Sequence, residues 1–333
     1  MPPSKPKPSE IAAEAKKNYI PYIRDNFSDR WPPTSYTCFS DSLPAKPPPR
    51  YESGERMNEM MYHARFAFYE RDPVDLAIEW AAGDSPIPVI MPAHDKRPGG
   101  DWEAGVMSPE ECLCRRSNLF ATLTTPAAGN SLSSNYPIQA RAGIISQNVV
   151  VFRNGPEKYE PWEEYKSLPV ISVCPVKRPK LRDHDTKYAF KDEKELMRDK
   201  IRTSLRIAVY YGYANLCIGT FGLGSGFGNP PEEVARMWRD LFLKDPEFVG
   251  HFNDVVFAFE PPEGPMGASA SSSSSSRGSS SKHSSKHSSS SKHSSSSSSS
   301  SRSSVTSDLE TFKHVFSPAV IHDDYKGSKH SKW

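Results

Sequence analysis

The chain has 333 residues, 36% of them hydrophobic, and a net charge of +2; that is long enough for one or two domains and lacks the strongly basic balance of a nucleic-acid-binding fold. From Pro265 onward nine Lys and Arg face four Asp and Glu, so a basic tail follows a slightly acidic body. No apolar run approaches the ~20 residues of a membrane span, "MPPSKPKPSE" has no signal-peptide core, and five cysteines without zinc or disulfide spacing point to a reducing compartment, nucleus or cytoplasm.

The Pro/Lys-rich residues 1–8 carry no signal of regular structure. "IAAEAKKNYIPYI" then has apolar residues at helical spacing, with Ser9 as a cap and Pro21 as an interruption or kink. "WPPTSYTCF" and "LPAKPPPR" predict an irregular proline-rich arm. A second helix is expected from Gly54, with Met57, Met61, Ala64 and Phe68 as its core-facing side. From Ile87 strands alternate with helices. "IPVIM", "AGIISQNVVVF", "PVISVC", "ANLCIGT" and "DVVFAFE" read as strands. Helices are predicted from Ser108 to about Ala121, in "KDEKELMRDKIRTSLRIAVYYG", in "NPPEEVARMWRDLFLKD" with Asn229 as cap and Pro230 at the first position, and in "SDLETFKHVFSP". Such alternation predicts an α/β fold with a largely buried sheet and helices on both faces. Between the last strand and the last helix, residues 264–304 are low-complexity Ser/His/Lys sequence. This is an expected disordered insert, whose serines are candidates for phosphorylation, and its loop closure costs the fold little.

Two stretches carry chemistry. In "RPGGDWEAGVMSPEECLCRRSNL", Gly99 and Gly100 precede a helix start made of Ser108, Pro109, Glu110 and Glu111. Glu111 stands where a capping-box acid belongs. The other reading is that the bare glycine backbone lets a ligand approach and the helix start presents an acid to it. Neighbouring helical residues point ~100° apart, so the two acids cannot face each other across a substrate like an ordinary glycosidase pair. In "GTFGLGSGFGNPPEEV", a glycine loop lies between a strand and a helix, and its N–H groups suit a phosphate or diphosphate. It is neither a Walker loop nor a dinucleotide fingerprint. Phe227, between Gly226 and Gly228, is placed to cover a ring.

The ordered set of these segments resembles the microbial-type poly(ADP-ribose) glycohydrolase family, over about residues 55–320. The family signature is three glycines, a short spacer and Gln-Glu-Glu; here Asp101 stands at the third glycine and Pro109 at the glutamine. The resemblance implies a macrodomain-like three-layer α/β/α mixed sheet with an N-terminal helical extension. It divides the chain into an arm, residues 1–50, and an ADP-ribose glycohydrolase domain, residues 51–333, interrupted by the insert. It implies hydrolysis of the O-glycosidic bonds of ADP-ribose in poly(ADP-ribose) or on modified proteins, without metal or cofactor. Glu111 falls on the catalytic acid/base and Glu110 on its companion that contacts the distal ribose. Gly99 and Gly100 fall on the first loop; Gly222, Gly224, Ser225 and Gly226 on the diphosphate loop; Phe227 on the aromatic that covers the ribose; Asn229 follows them. A helix N-terminus favours an ionised glutamate, so a general acid there needs desolvation or the ligand's own charge to hold its proton. The alternatives are a non-catalytic ADP-ribose-binding module and a scaffold that works through its tail.

Overall fold

The computed structural model describes residues 6–47, 64–81, 85–130, 132–260 and 300–321. Met57, Met61 and the insert up to residue 299 lie outside them. The chain opens with helix α1 (Pro8–Glu14), which continues through a π-helical stretch, Ala15–Tyr19, into α2 (Ile20–Phe27). The cap is Lys7 rather than Ser9: Lys7 N donates to the Glu10 carboxylate at 2.9 Å. Pro21 does not break the helix. It lies in the first turn of α2, where its missing N–H is least felt.

The proline-rich arm is not irregular throughout. Ser35–Phe39 forms strand β1, because Ser-Tyr-Thr-Cys-Phe alternates and the prolines stand before it. The expected helix through Ala64 and Phe68 is also overturned: Arg65–Tyr69 is strand β2. Its aromatic side chains suit a pleated surface, and Arg65 fixes its register on Asp254 with two 2.7 Å bonds. There follow α3 (Pro73–Trp80), β3 (Val89–Pro92), α4 (Pro109–Arg116) and α5 (Leu119–Leu123). The helix predicted from Ser108 to Ala121 is thus broken at Ser117 and Asn118, where Asn118 Oδ1 accepts from Val150 N at 2.7 Å.

Strands β4 (Ala142–Arg153) and β5 (Pro161–Val173) form a long antiparallel pair. A small hairpin, β6 (Leu181–Arg182) and β7 (Lys187–Tyr188), leads to α6 (Lys191–Tyr210). The rest is β8 (Asn215–Ile218), the one-turn α7 (Gly224–Phe227), α8 (Pro231–Lys244), β9 (Asp254–Ala258) and α9 (Ser300–Val315). The cap of α8 is Pro230, with Pro231 in the first turn, one residue later than expected. Helix α9 begins inside the stretch assigned to the insert.

The seven-stranded sheet has the order β1-β4-β5-β3-β8-β9-β2. β1, β4 and β5 are antiparallel; β5, β3, β8, β9 and β2 run parallel. Its central strands bury both faces. Ile90, Ile171, Ile218 and Phe257 pack with α6, α8 and α9. Val89, Val170, Cys217 and Ala258 pack with α1, α3, α4 and α5. These two cores make the three-layer α/β/α sandwich that the near-continuous apolar runs predict. Among the described residues no helix is long and apolar enough to cross a membrane.

Candidate functional site

Parallel neighbours β3 and β8 end on the same edge of the sheet, so the loops that follow them emerge side by side. The loop after β3 carries the glycine turn. Gly99 and Gly100 have φ of +67° and +55°, a region where a side chain is strained. A Cβ on Gly99 would stand 2.9 Å from Cys114 Sγ and 3.0 Å from Trp102 Cδ1; one on Gly100 would overlap the Glu111 carboxylate. The space left by the missing side chains is filled by the protein's own groups.

Glu110 and Glu111 open α4, and both are buried, at 2% and 6% exposure. Their carboxylates diverge, as the ~100° helical step requires. Glu110 turns inward. It accepts from His94 N at 2.5 Å, Gly99 N at 3.3 Å and the Tyr136 hydroxyl at 3.4 Å. Burial pushes its carboxyl up to about 8, and the neighbouring Glu111 adds to the rise. Glu111 turns back over the turn. It accepts from Asp101 N at 3.3 Å and bonds the Ser108 hydroxyl. The serine donates to the carboxylate, but Ser108 makes no side-chain cap bond to the backbone of α4, so the capping box expected of Glu111 is not formed. Asp101, at the third glycine position, has a φ of −105° that asks for no glycine, and its side chain pairs with Arg97 at 2.8 Å on the surface.

A cleft of about 600 Å³ lies between the start of α4 and the loop after β8. Ser108, Pro109 and Cys112 line one wall; Thr220 and Leu223–Phe227 line the other. This second loop differs from the first. Gly224 and Gly226 have no atom within 4 Å of where a Cβ would be, so their backbone is open to the cleft. Ser225 and Phe227 stand beside them on the same one-turn helix. Gly222 and Asn229 support the loop from behind. A Cβ on Gly222 would strike Met197. Asn229 is buried; its Nδ2 donates to Val176 O at 2.7 Å and Gly222 O at 2.8 Å, and its Oδ1 accepts from the Tyr188 hydroxyl at 2.8 Å. The structure thus places Gly224, Ser225, Gly226 and Phe227 on the cleft wall. It places Gly99, Gly100, Glu110 and Glu111 together in the turn at the foot of α4, and Gly222 and Asn229 inside the loop.

Several residues of the site are not apparent from the sequence. Arg115 is fully buried and holds the segment between the glycine turn and α4: its Nε donates to Trp102 O at 2.9 Å and its Nη2 to Val106 O. Arg116 lies beneath the other end of the cleft, paired with Asp72 at 3.1 Å and with Asp75. Asp308 reaches the cleft from α9, and burial pushes its carboxyl up to about 6. Asp72, Asp75 and Asp308 thus line the cleft together with Arg71 and Lys158. A "CRRS" run gives a signal for buried arginines only in the helical register that points both away from solvent, and Asp308 comes from a helix separated from β9 by the low-complexity stretch. Among the described residues no group of three or more His, Cys, Asp or Glu side chains is placed to hold a metal ion.

Residues 35–154 match the family model described as microbial-type PARG, catalytic domain. That segment runs from β1 to the end of β4 and contains the glycine turn and both acids; the loop after β8 lies outside it. No curated protein matches the sequence. Among solved structures, the poly(ADP-ribose) glycohydrolase from Thermomonospora curvata has a TM-score of 0.55 at 21% identity, over 75% of this chain and 92% of that one. The same enzyme bound to the inhibitor ADP-HPD gives 0.54 at 21% identity, over 76% and 92%. The poly(ADP-ribose) glycohydrolase from Deinococcus radiodurans in complex with ADP-ribose gives 0.53 at 19% identity, over 74% and 92%. These likenesses establish the macrodomain-like fold.

Proposed function

We propose that the chain is a microbial-type poly(ADP-ribose) glycohydrolase that hydrolyses the O-glycosidic bonds of ADP-ribose, in poly(ADP-ribose) or on modified proteins. The observation that carries this reading is the family match across residues 35–154, because it spans the glycine turn and both acids at the foot of α4. The neighbouring cleft supports it: about 600 Å³ is within the range of small-molecule sites. Open backbone at Gly224 and Gly226 suits a diphosphate, and Phe227 suits a ribose face.

Glu111 is the general acid/base. It donates a proton to the leaving oxygen as positive charge develops at the anomeric carbon, then takes a proton from the attacking water. Glu110, beside it, holds both ends of the turn through His94 N and Gly99 N. The bond broken is that between the anomeric carbon and the leaving oxygen; the products are ADP-ribose and a free hydroxyl on the target or on the shortened polymer.

One observation favours a second reading, a non-catalytic ADP-ribose-binding module. Both carboxylates are buried and already engaged by the chain's own N–H and hydroxyl groups. Incubation with poly(ADP-ribose) and with mono-ADP-ribosylated protein, followed by detection of free ADP-ribose, decides between them. Release of ADP-ribose supports the hydrolase. Binding by calorimetric titration without release supports the module. Absence of both removes the site.

A further inference from the structure

Glu110 does more than neighbour the catalytic acid. Its carboxyl spans the turn that follows β3: one oxygen accepts from His94 N, at the start of the turn, and the other from Gly99 N, at its end. The same oxygen that meets Gly99 meets the Tyr136 hydroxyl at 3.4 Å. Tyr136 is held in turn. Its neighbour Asn135 is buried, and every hydrogen-bonding site on its side-chain amide is used. Asn135 Nδ2 donates to Ser35 Oγ at 2.8 Å and Leu123 O at 2.9 Å. Asn135 Oδ1 accepts from Thr37 Oγ1 at 2.8 Å and Asn130 Nδ2 at 2.9 Å. On the far side Ile138 N donates to Asp95 O at 2.7 Å, which ties the same segment to the turn itself. A continuous set of contacts therefore runs from edge strand β1 through Asn135 and Tyr136 to Glu110 and the glycine turn.

We propose that Tyr136 is a positioning residue for the site: its hydroxyl seats the Glu110 carboxyl between the two ends of the glycine turn, and thereby fixes the turn against which Glu111 stands. This rests on the hydrolase reading for its effect on turnover, but not for its effect on Glu110. A hydroxyl donor favours the ionised carboxyl, as do the two N–H groups. Burial and Glu111 oppose it. The other titratable groups facing Glu110 are Cys114 on α4 and Cys174 at the end of β5. Burial pushes both thiols upward, so neither supplies charge near neutral pH. Tyr136 is thus the side chain that donates a hydrogen bond to Glu110 among these neighbours.

The test is Tyr136→Phe, which keeps the ring and removes the oxygen, read in two ways. First, the protonated carboxyl of Glu110 is followed across pH by infrared difference spectroscopy, with Glu110→Gln as the subtraction; its titration midpoint is expected to move upward in Tyr136→Phe. Second, kcat on poly(ADP-ribose) is expected to fall up to about tenfold with KM unchanged, the scale of one lost hydrogen bond. In a Glu110→Gln background the same substitution is expected to do little further. A merely structural tyrosine would lower melting temperature and leave both the Glu110 midpoint and kcat where they were. An unmoved midpoint overturns the proposal whether or not the protein is active. If the unsubstituted protein releases no ADP-ribose, the hydrolase reading fails, and the infrared titration still decides the role of Tyr136.

Discussion

The two glycine segments beside the cleft use the same residue for opposite ends. At Gly99 and Gly100 the missing side chains make room for Cys114, Trp102 and Glu111, and the left-handed backbone is packed from within. At Gly224 and Gly226 nothing occupies the space, and the backbone faces the cleft. Glycine content alone cannot separate these cases. What separates them is where the adjoining helix points its first turn. Helix α4 turns two carboxylates back onto its glycines, whereas α7 ends after one turn and leaves its glycines bare. In the proposed reading the first segment holds the reacting acid, and the second is left for a ligand's phosphates.

The largest effect expected from this division is on turnover. Glu111→Gln keeps the size of the side chain and an oxygen for Asp101 N, but removes the transferable proton; turnover should fall by ~10²–10⁴. ADP-ribose affinity should stay within roughly tenfold, since the cleft wall lies elsewhere. Release of free ADP-ribose at the unsubstituted rate would confine Glu111 to holding Asp101 N and Ser108 in the turn.

Next comes ligand binding. Gly224→Val should abolish ADP-ribose binding in calorimetric titration while leaving the far-ultraviolet circular dichroism spectrum unchanged, because the added side chain projects into the cleft rather than the core. Phe227→Ala should weaken binding by ~1–3 kcal/mol through loss of the ring contact. Retained affinity in both would mean that the open glycines face solvent for no ligand at all.

Stability should show the reverse order. Both Gly100 and Gly224 have positive φ, +55° and +75°, so Ala at either costs ~1–2 kcal/mol of backbone strain. At Gly100 the new methyl also strikes the Glu111 carboxylate, so its total should exceed ~2 kcal/mol. Gly224→Ala should cost no more than the strain. Equal midpoints in urea unfolding would show that the turn gives way and that Glu111 is not fixed by it.

Much of this was legible beforehand, and the gaps have physical causes. The central strands are recognisable because burial on both faces makes them near-continuous apolar runs, as in "IPVIM" and "PVISVC". The edge strands are not. β1 follows two prolines and is half-buried, and β2 reads "RFAFY", a run whose apolar positions also fit a helical period when the methionines before it are included. Motif spacing located the acids and the glycine loop. It could not show that Glu110 turns inward, since that depends on the β3 loop closing over the helix start, nor that Asn229 supports the loop rather than lines it. Tyr136 and Asp308 are long-range partners of segments far from them in sequence, and no local pattern marks such residues.

The smallest effect concerns Asp308, and it tests whether charge on the cleft lining reaches the ligand. Asp308 on α9 faces the cleft with its carboxyl raised by burial from its ordinary 3.8 to about 6. A carboxyl raised in the folded protein favours folding most when it is protonated. That contribution is complete below about 3.8 and is lost as pH rises through about 6. At pH 7 the group is therefore ionised at a cost to the fold, and Asp308→Asn should raise stability there. Because the side chain is partly open to solvent, screening limits the gain to about 1 kcal/mol. Below pH 4 the variant and the parent should unfold alike. The same substitution removes a negative charge from the cleft, so ADP-ribose, which carries a diphosphate, should bind slightly tighter at pH 7. In the parent, affinity should improve between pH 7 and pH 5.5, and in Asp308→Asn this improvement should shrink. A variant whose affinity has the parent's full pH dependence would place the ligand's charge out of reach of α9, and confine binding to the wall formed by Gly224–Phe227.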